Sequence, residues 1–236
     1  MLEWFMSTER RIQKHRRRIT NRDAQSEDRE MSARWLIDQG SPKALRAMLL
    51  RFDMSLPQQM QDQNERELMY QLVVGCGQDL VRPLKVHLKT CRQFAYPIRL
   101  FEEIEGREQT LALVYELLKY EYNKDDLNHP EKKRHMLIWL AERDAEGALE
   151  AAIPFLEDFD EGVRLAAVEV VSRQDSDGGK GPLEAAWINP NEDSNRLRVL
   201  IAEVFVKRGW EVSDADAVAG ALPPGFEVRQ GRVARA

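Results

Sequence analysis

Four histidines and two cysteines carry most of the metal-binding and nucleophilic potential of this 236-residue chain. His15, His87, His129 and His135 are scattered. His129 and His135 lie six apart, a spacing that does not bring two imidazoles to one helical face. Cys76 and Cys91 have no CxxC neighbour and are read as lacking a histidine at ligand spacing. They are taken as small buried hydrophobes of a reduced, intracellular protein. No HExxH occurs, and no glycine-flanked serine follows a strand. The run Asp175 to Gly181, DSDGGKG, sets glycines beside Lys180, which invites a phosphate reading. It lacks the GxxxxGK[ST] frame, and as a calcium loop it lacks the glutamate at the twelfth position. It reads as a flexible turn. No catalytic, cofactor or metal-binding residue is assigned, and no cofactor is expected.

Charge is the stronger signal. The net charge of −5 is unevenly spread. Residues 1–26 hold seven Lys or Arg against three acids, whereas residues 141–194 hold fourteen acids against four bases. Arg10, Arg11, Lys14, Arg16, Arg17 and Arg18 follow Trp4 and Phe5, as in a basic helix anchored by aromatics. Such an arm fits nucleic acid phosphate, an anionic membrane surface or an acidic protein face. It equally fits a cap whose charges sit in water. A second basic set, Arg82, Lys85, Lys89 and Arg92, falls on the polar face of one helix. Tyr115 and Lys119 follow on a later helix, and tyrosine beside basic residues is interface chemistry.

The elements that position these residues repeat. From Leu156 to Val171 one helix closes, the chain turns on acids, and a second helix opens with Val163, Ala166, Ala167, Val170 and Val171 at helical spacing. Shifting back by 30 places Arg164 on Arg134 and Arg173 on Arg143; shifting forward by 34 places Arg164 on Arg198 and Glu169 on Glu203. GALEAA at 147–152 matches GPLEAA at 181–186. A shift of 104 aligns Trp35 with Trp139 and Leu45 with Leu149. Fixed-period self-similarity of this kind marks stacked helix pairs. Two connections are read as special. Met54 to Gln63 is a long polar loop, and Ser41-Pro42 restarts a helix after Gly40.

On these residues the chain resembles HEAT-repeat proteins, of the short-repeat kind found in phycobiliprotein lyases. In that family an Asp in the turn precedes an Arg of the first helix by six residues. Asp158 and Arg164 fit this, and Glu192 with Arg198 and Asn128 with Arg134 fit it with substituted acceptors. The match is good over 128–208, fair over 29–53 and weak over 60–122. Arg66 and Arg99 sit near the period, but Met60 and Gln93 six residues earlier are not acids. The resemblance implies an all-α, right-handed α-solenoid of about six helix pairs over 27–222. The arm at 1–26 precedes it, and a tail at 223–236 follows, forming a small hairpin around Gln230-Gly231 or trailing as a basic end.

The expected function is noncatalytic: a cytoplasmic scaffold or adaptor that binds a partner protein on its concave face. The resemblance implies that second helices line that face, which would place Arg82, Lys85, Lys89 and Arg92 there beside Tyr115 and Lys119. The alternative is binding of nucleic acid or an anionic surface through the arm. An enzyme ranks third: the HE pairs of HEAT-like iron hydroxylases are absent, the body is too acidic for a DNA glycosylase, and nothing marks a bilin site. No run of about 18 apolar residues exists for a transmembrane helix. The short apolar start, followed by a basic run, is the wrong order for a secretory signal.

Overall fold

The computed structural model describes residues 2–122, 130–143 and 145–236, with the side chains of residues 2–7 left aside. Thirteen α-helices and one two-stranded hairpin occur among the described residues. No described helix is long and apolar enough to cross a membrane.

Helix boundaries follow local chemistry. The basic segment is α1 (Leu2–Ile19), and α2 (Ser26–Gln39) ends where Gly40 takes a left-handed φ of 65°. Such a φ is open to glycine at little steric cost. Ser41 Oγ then accepts the Ala44 amide hydrogen, and Pro42 opens α3 (Pro42–Leu49). A cap of this type stabilises a helix by about 1 kcal/mol. A short 3-10 turn, Leu50–Asp53, leads to α4 (Gln59–Val74). The expected loop from Met54 to Gln63 is therefore shorter than read. Its last residues are helical, because Asp62 is drawn onto buried Arg51 and needs a fixed helical position to reach it.

Helix α5 (Val81–Thr90) carries Pro83 in its first turn, where the missing amide costs nothing, and buries Leu84 and Leu88. Helix α6 (Ala95–Glu105) likewise carries Pro97 in its first turn. Helix α7 (Arg107–Tyr122) follows. The chain divides within α7 into two compact units, Met1–Leu117 and Leu118–Ala236.

The first unit is built around charge as well as apolar side chains. Helix α1 packs on α2 and α3, burying Ile12 and Ile19. Along α4 the core face is Met69, Tyr70 and Val73, while Leu68 is exposed, so the apolar run there overstated the buried stripe. Beneath these helices lie Arg29, Arg51, Asp62 and Glu65, all buried. Arg29 donates to both Glu65 oxygens, Nε to Oε1 at 2.7 Å and a terminal nitrogen to Oε2 at 2.6 Å. Arg51 donates to Glu65 Oε1 at 2.5 Å and to Asp62 Oδ1 at 2.8 Å. Ser26 Oγ adds a hydrogen bond to Glu65 Oε2, and the Ala24 and Met54 carbonyls take remaining guanidinium hydrogens. One carboxylate thus joins α2, the 3-10 turn after α3, and α4.

The second unit repeats a helix pair three times. The first helices are α8 (Pro130–Ala141), α10 (Glu161–Arg173) and α12 (Asn195–Arg208). The second helices are the short α9 (Ala148–Ala152), continued by a 3-10 turn, then α11 (Lys180–Ile188) and α13 (Ala215–Gly220). Asp160, Ser194 and Asp214 cap α10, α12 and α13. Helix α10 lies between α8 and α12, with Val163, Ala166, Ala167, Val170 and Val171 buried. The DSDGGKG segment is a packed turn rather than a loose one. A Cβ on Gly179 would stand 2.4 Å from Val171 Cγ1, and Asp177 Oδ1 accepts the Trp210 indole N–H at 2.7 Å. The chain ends in a hairpin of β1 (Phe226–Arg229) and β2 (Arg232–Arg235), turning on Gln230 and Gly231, both at positive φ. It packs on α12, with Val233 buried and Arg235 paired to Glu203 at 3.0 Å.

Burial alone would raise the Glu65 carboxyl, but the hydrogen bonds from Arg29 and Arg51, the charge of Arg51 and the Ser26 hydroxyl hold it below its usual range. Its stabilising contribution is therefore complete above the unfolded value of about 4.3 and is lost as pH falls through the lower folded value. Glu65→Gln should cost about 3 kcal/mol at neutral pH, because buried Arg29 loses its carboxylate partner and Arg51 keeps only Asp62. The same variant should show a smaller loss of stability on acidification than the parent. Urea unfolding at neutral and acidic pH checks both.

Candidate functional site

Three places concentrate chemistry. The first is the basic set on α5. Arg82, Lys85 and Lys89 are exposed on α5, whereas Arg92 is exposed but lies past the end of the helix, which closes at Cys91. They are not a free cationic stripe, however. Lys89 pairs with Glu116 of α7 at 2.9 Å, and the Lys85 ammonium lies 5.6 Å from the centre of the buried Phe101 ring. Tyr115 is half-buried on α7, and Lys119 is exposed one turn further along the same helix.

The second is α1. His15 stacks on Trp35 at 4.2 Å, with the Arg11 guanidinium 4.9 Å from the same ring. Burial holds the His15 imidazole below its usual pKa, helped by Arg18, Lys14 and Arg11. The opposite side of the helix shows Arg10, Lys14, Arg17 and Arg18 along a depression closed by Asn21 and Asp28. Arg18 reaches Asp28 at 3.6 Å. Arg10, Lys14 and Arg17 make no ion pair among the described residues, and Arg16 lines a different cavity. Trp139, at the position matching Trp35, is buried beneath the Arg143 guanidinium at 3.8 Å from its ring. Both tryptophans thus serve packing.

The third is the outer face of α8, α10 and α12, where the ladder positions lie. Arg164 donates to the carbonyl of Asp158 at 2.9 Å, and Arg198 to the carbonyl of Glu192 at 2.7 Å. The acceptor six residues back is thus the backbone, which explains why Glu serves where Asp is expected. The carboxylates have other partners. Lys133 reaches Asp158 Oδ2 at 2.5 Å, and Arg164 meets both Glu192 oxygens, Nε to Oε2 at 2.9 Å and a terminal nitrogen to Oε1 at 3.0 Å. Each cation therefore leads into the following helix pair. Lys132 extends the series backwards, onto Glu121 at 2.7 Å.

Asn128, read as the acceptor of Arg134, lies outside the described residues. Arg134 is exposed and makes no hydrogen bond or ion pair among the described residues. The neighbouring Lys133 points inward instead, because that position faces the turn that opens α10. Arg134 looks across Gly162 toward Arg196, which likewise has no partner among the described residues. Between them runs a groove of about 480 Å3 lined by Arg134 and Ile138 of α8, Gly162, Leu165, Ala166 and Glu169 of α10, and Arg196, Val199, Leu200 and Glu203 of α12. Small residues on α10 recess the middle helix. Ile138 is 41% exposed on the groove wall. At the far end the two glutamates are occupied, Glu169 by Arg173 and Glu203 by Arg235. The charge left over is cationic and sits at one end of an apolar floor.

The reading of Cys91 as lacking a histidine at ligand spacing does not hold. His87 stands four residues earlier, and the last turn of α5 brings both to one side. Asp53 joins them from the 3-10 turn after α3. The spacing of four was legible, but Asp53 was not, since only the fold brings residue 53 to residue 87.

Compared with protein-family models, curated proteins and solved structures, the chain matches none.

Substituting Lys89→Glu sets two carboxylates face to face with Glu116 at an exposed site. The expected cost is about 0.5 kcal/mol, seen as a small fall in the unfolding midpoint by circular dichroism.

Proposed function

We propose that this chain is a noncatalytic, protein-binding helical-repeat module of HEAT-like type, and that it holds an amphipathic, acidic-ended segment of a partner in the α8/α10/α12 groove. The single observation behind this reading is the groove itself. It offers an apolar floor two helical turns long, a recessed centre at Gly162 and Ala166, and two arginines without partners at one end. Desolvating an arginine without a countercharge is costly, so a segment that brings a carboxylate to Arg134 and Arg196 is favoured over one that does not. A helix laid in such a groove contributes side chains at i, i+3, i+4 and i+7. The α5 surface with Arg82, Lys85, Lys89 and Arg92 is a weaker candidate, because Lys89 already has an acidic partner. A cytoplasmic scaffold or adaptor role is consistent with this reading.

A second reading rests on α1, where Arg10, Lys14 and Arg17 recur on one helical face beside Glu9 and Asp28 but make no ion pair among the described residues. That face suits nucleic acid phosphate or an anionic lipid surface. Removing residues 1–26 would be an unsuitable test, because Ile12 and Ile19 belong to the core of the first unit. Charge reversal leaves those contacts in place.

Selection of a displayed helical-peptide library on the intact protein tests both readings. Apolar sequences with an acidic end should be enriched, and the selected peptides should bind the Arg134→Glu, Arg196→Glu double variant about tenfold or more weakly, a difference of about 1.4 kcal/mol. The double variant should melt as the parent does. Absence of enrichment, or equal affinity for the double variant, would reject the groove. A parent protein that instead binds single-stranded nucleic acid or anionic vesicles with steep salt dependence, lost on reversing Arg10, Lys14 and Arg17, would establish the α1 reading.

A further inference from the structure

We propose that Asp53, His87 and Cys91 form a metal site for a single zinc-like divalent cation, independent of the groove. One nitrogen, one sulfur and one oxygen donor come together, with their ligand atoms all within 4.8 Å of one another. His87 is 3% exposed and Cys91 is 4% exposed. The carboxylate is held in place by the backbone: Asp53 Oδ1 accepts the amides of Arg92 at 3.0 Å and Gln93 at 3.2 Å. Its second oxygen, Oδ2, is thereby turned toward His87 Nε2, 3.7 Å away. That separation is long for a hydrogen bond. It matches the edge of a tetrahedral zinc shell, where bonds of about 2.0–2.3 Å place neighbouring ligand atoms roughly 3.3–3.8 Å apart. The widest pair must close by about 1 Å, which side-chain rotation can provide.

The donor types decide the class of ion. Imidazole, thiolate and carboxylate together suit Zn2+, and oxygen-seeking Mg2+ or Ca2+ gains little from sulfur. Thiolate and carboxylate also supply two negative charges, which balance those of the divalent ion itself, and Arg16, Lys43 and Arg46 stand nearby. Those three side chains, with Thr90, line a cavity of about 190 Å3 that reaches His87. It provides a route for a water molecule or small anion as fourth ligand. The ion would tie the 3-10 turn after α3 to the end of α5, a junction where the amides of Arg92 and Gln93 already donate to Asp53.

The full-length protein, stripped with chelator, is titrated with Zn2+ by calorimetry and with Co2+ by absorption spectroscopy. The proposal expects saturable uptake of a single equivalent of Zn2+ and a thiolate-to-cobalt charge-transfer band. Cys91→Ser should abolish that band. Both Cys91→Ser and His87→Gln should weaken Zn2+ binding by roughly tenfold or more, and Cys76→Ser should leave it unchanged. The wild-type cobalt spectrum requires no variant to fold. Absence of saturable Zn2+ binding, a cobalt spectrum without the thiolate band, or unchanged affinity in the Cys91 and His87 variants would overturn the assignment.

Discussion

A buried cation that finds its carboxylate on the next helix pair is the constraint on which the rest of the architecture depends. In the second unit Lys133 meets Asp158 across 25 residues and Arg164 meets Glu192 across 28. In the first, Arg29 reaches Glu65 across 36 residues and Arg51 reaches the same carboxylate from 14 residues away. Such pairs add little net stability over well-packed apolar side chains of the same volume. Their consequence is geometric. A misaligned helix pair would leave a charge buried without its partner, at several kcal/mol, so the pairs penalise every register but one.

Register in turn makes the surface. Because α10 is held between α8 and α12, residues of three helices face the same groove. Arg134, Gly162 and Arg196 close one end; Ile138, Leu165, Ala166, Val199 and Leu200 form the floor; Glu169 and Glu203 close the other end. The groove is thus formed by helix faces without any dedicated loop. The two glutamates are neutralised by Arg173 and Arg235. The asymmetry of the groove arises there, and the C-terminal hairpin takes part in it through Arg235.

Much of this fold was legible in the sequence, where local rules act. Gly40, Ser41-Pro42 and the recurring arginines marked helix boundaries and the recurring helix pairs, since caps and periodicity operate over a few residues. Partners distant in sequence were not legible. The network of Arg29, Arg51, Asp62 and Glu65 leaves no periodic trace, because its separations do not recur, and Asp62 was read as part of a loop. Asp158 and Arg164 were read as a pair, and the contact between them runs through a carbonyl, which side-chain identity does not reveal. Arg134 and Lys133 show the sharpest limit: adjacent residues of like charge exchange roles according to a rotation of about 100° along the helix. His87 and Cys91 were visible at a spacing of four, but their meaning required Asp53.

A double-mutant cycle on Arg164 and Glu192, followed by urea unfolding, tests the central claim most directly. Arg164→Met and Glu192→Gln should each destabilise strongly. The combined variant should be more stable than the sum of the two losses allows, with a coupling of about 1.5–3 kcal/mol. A coupling below about 0.5 kcal/mol would mean that the two side chains act independently, and that the register of these helices is set by apolar packing alone.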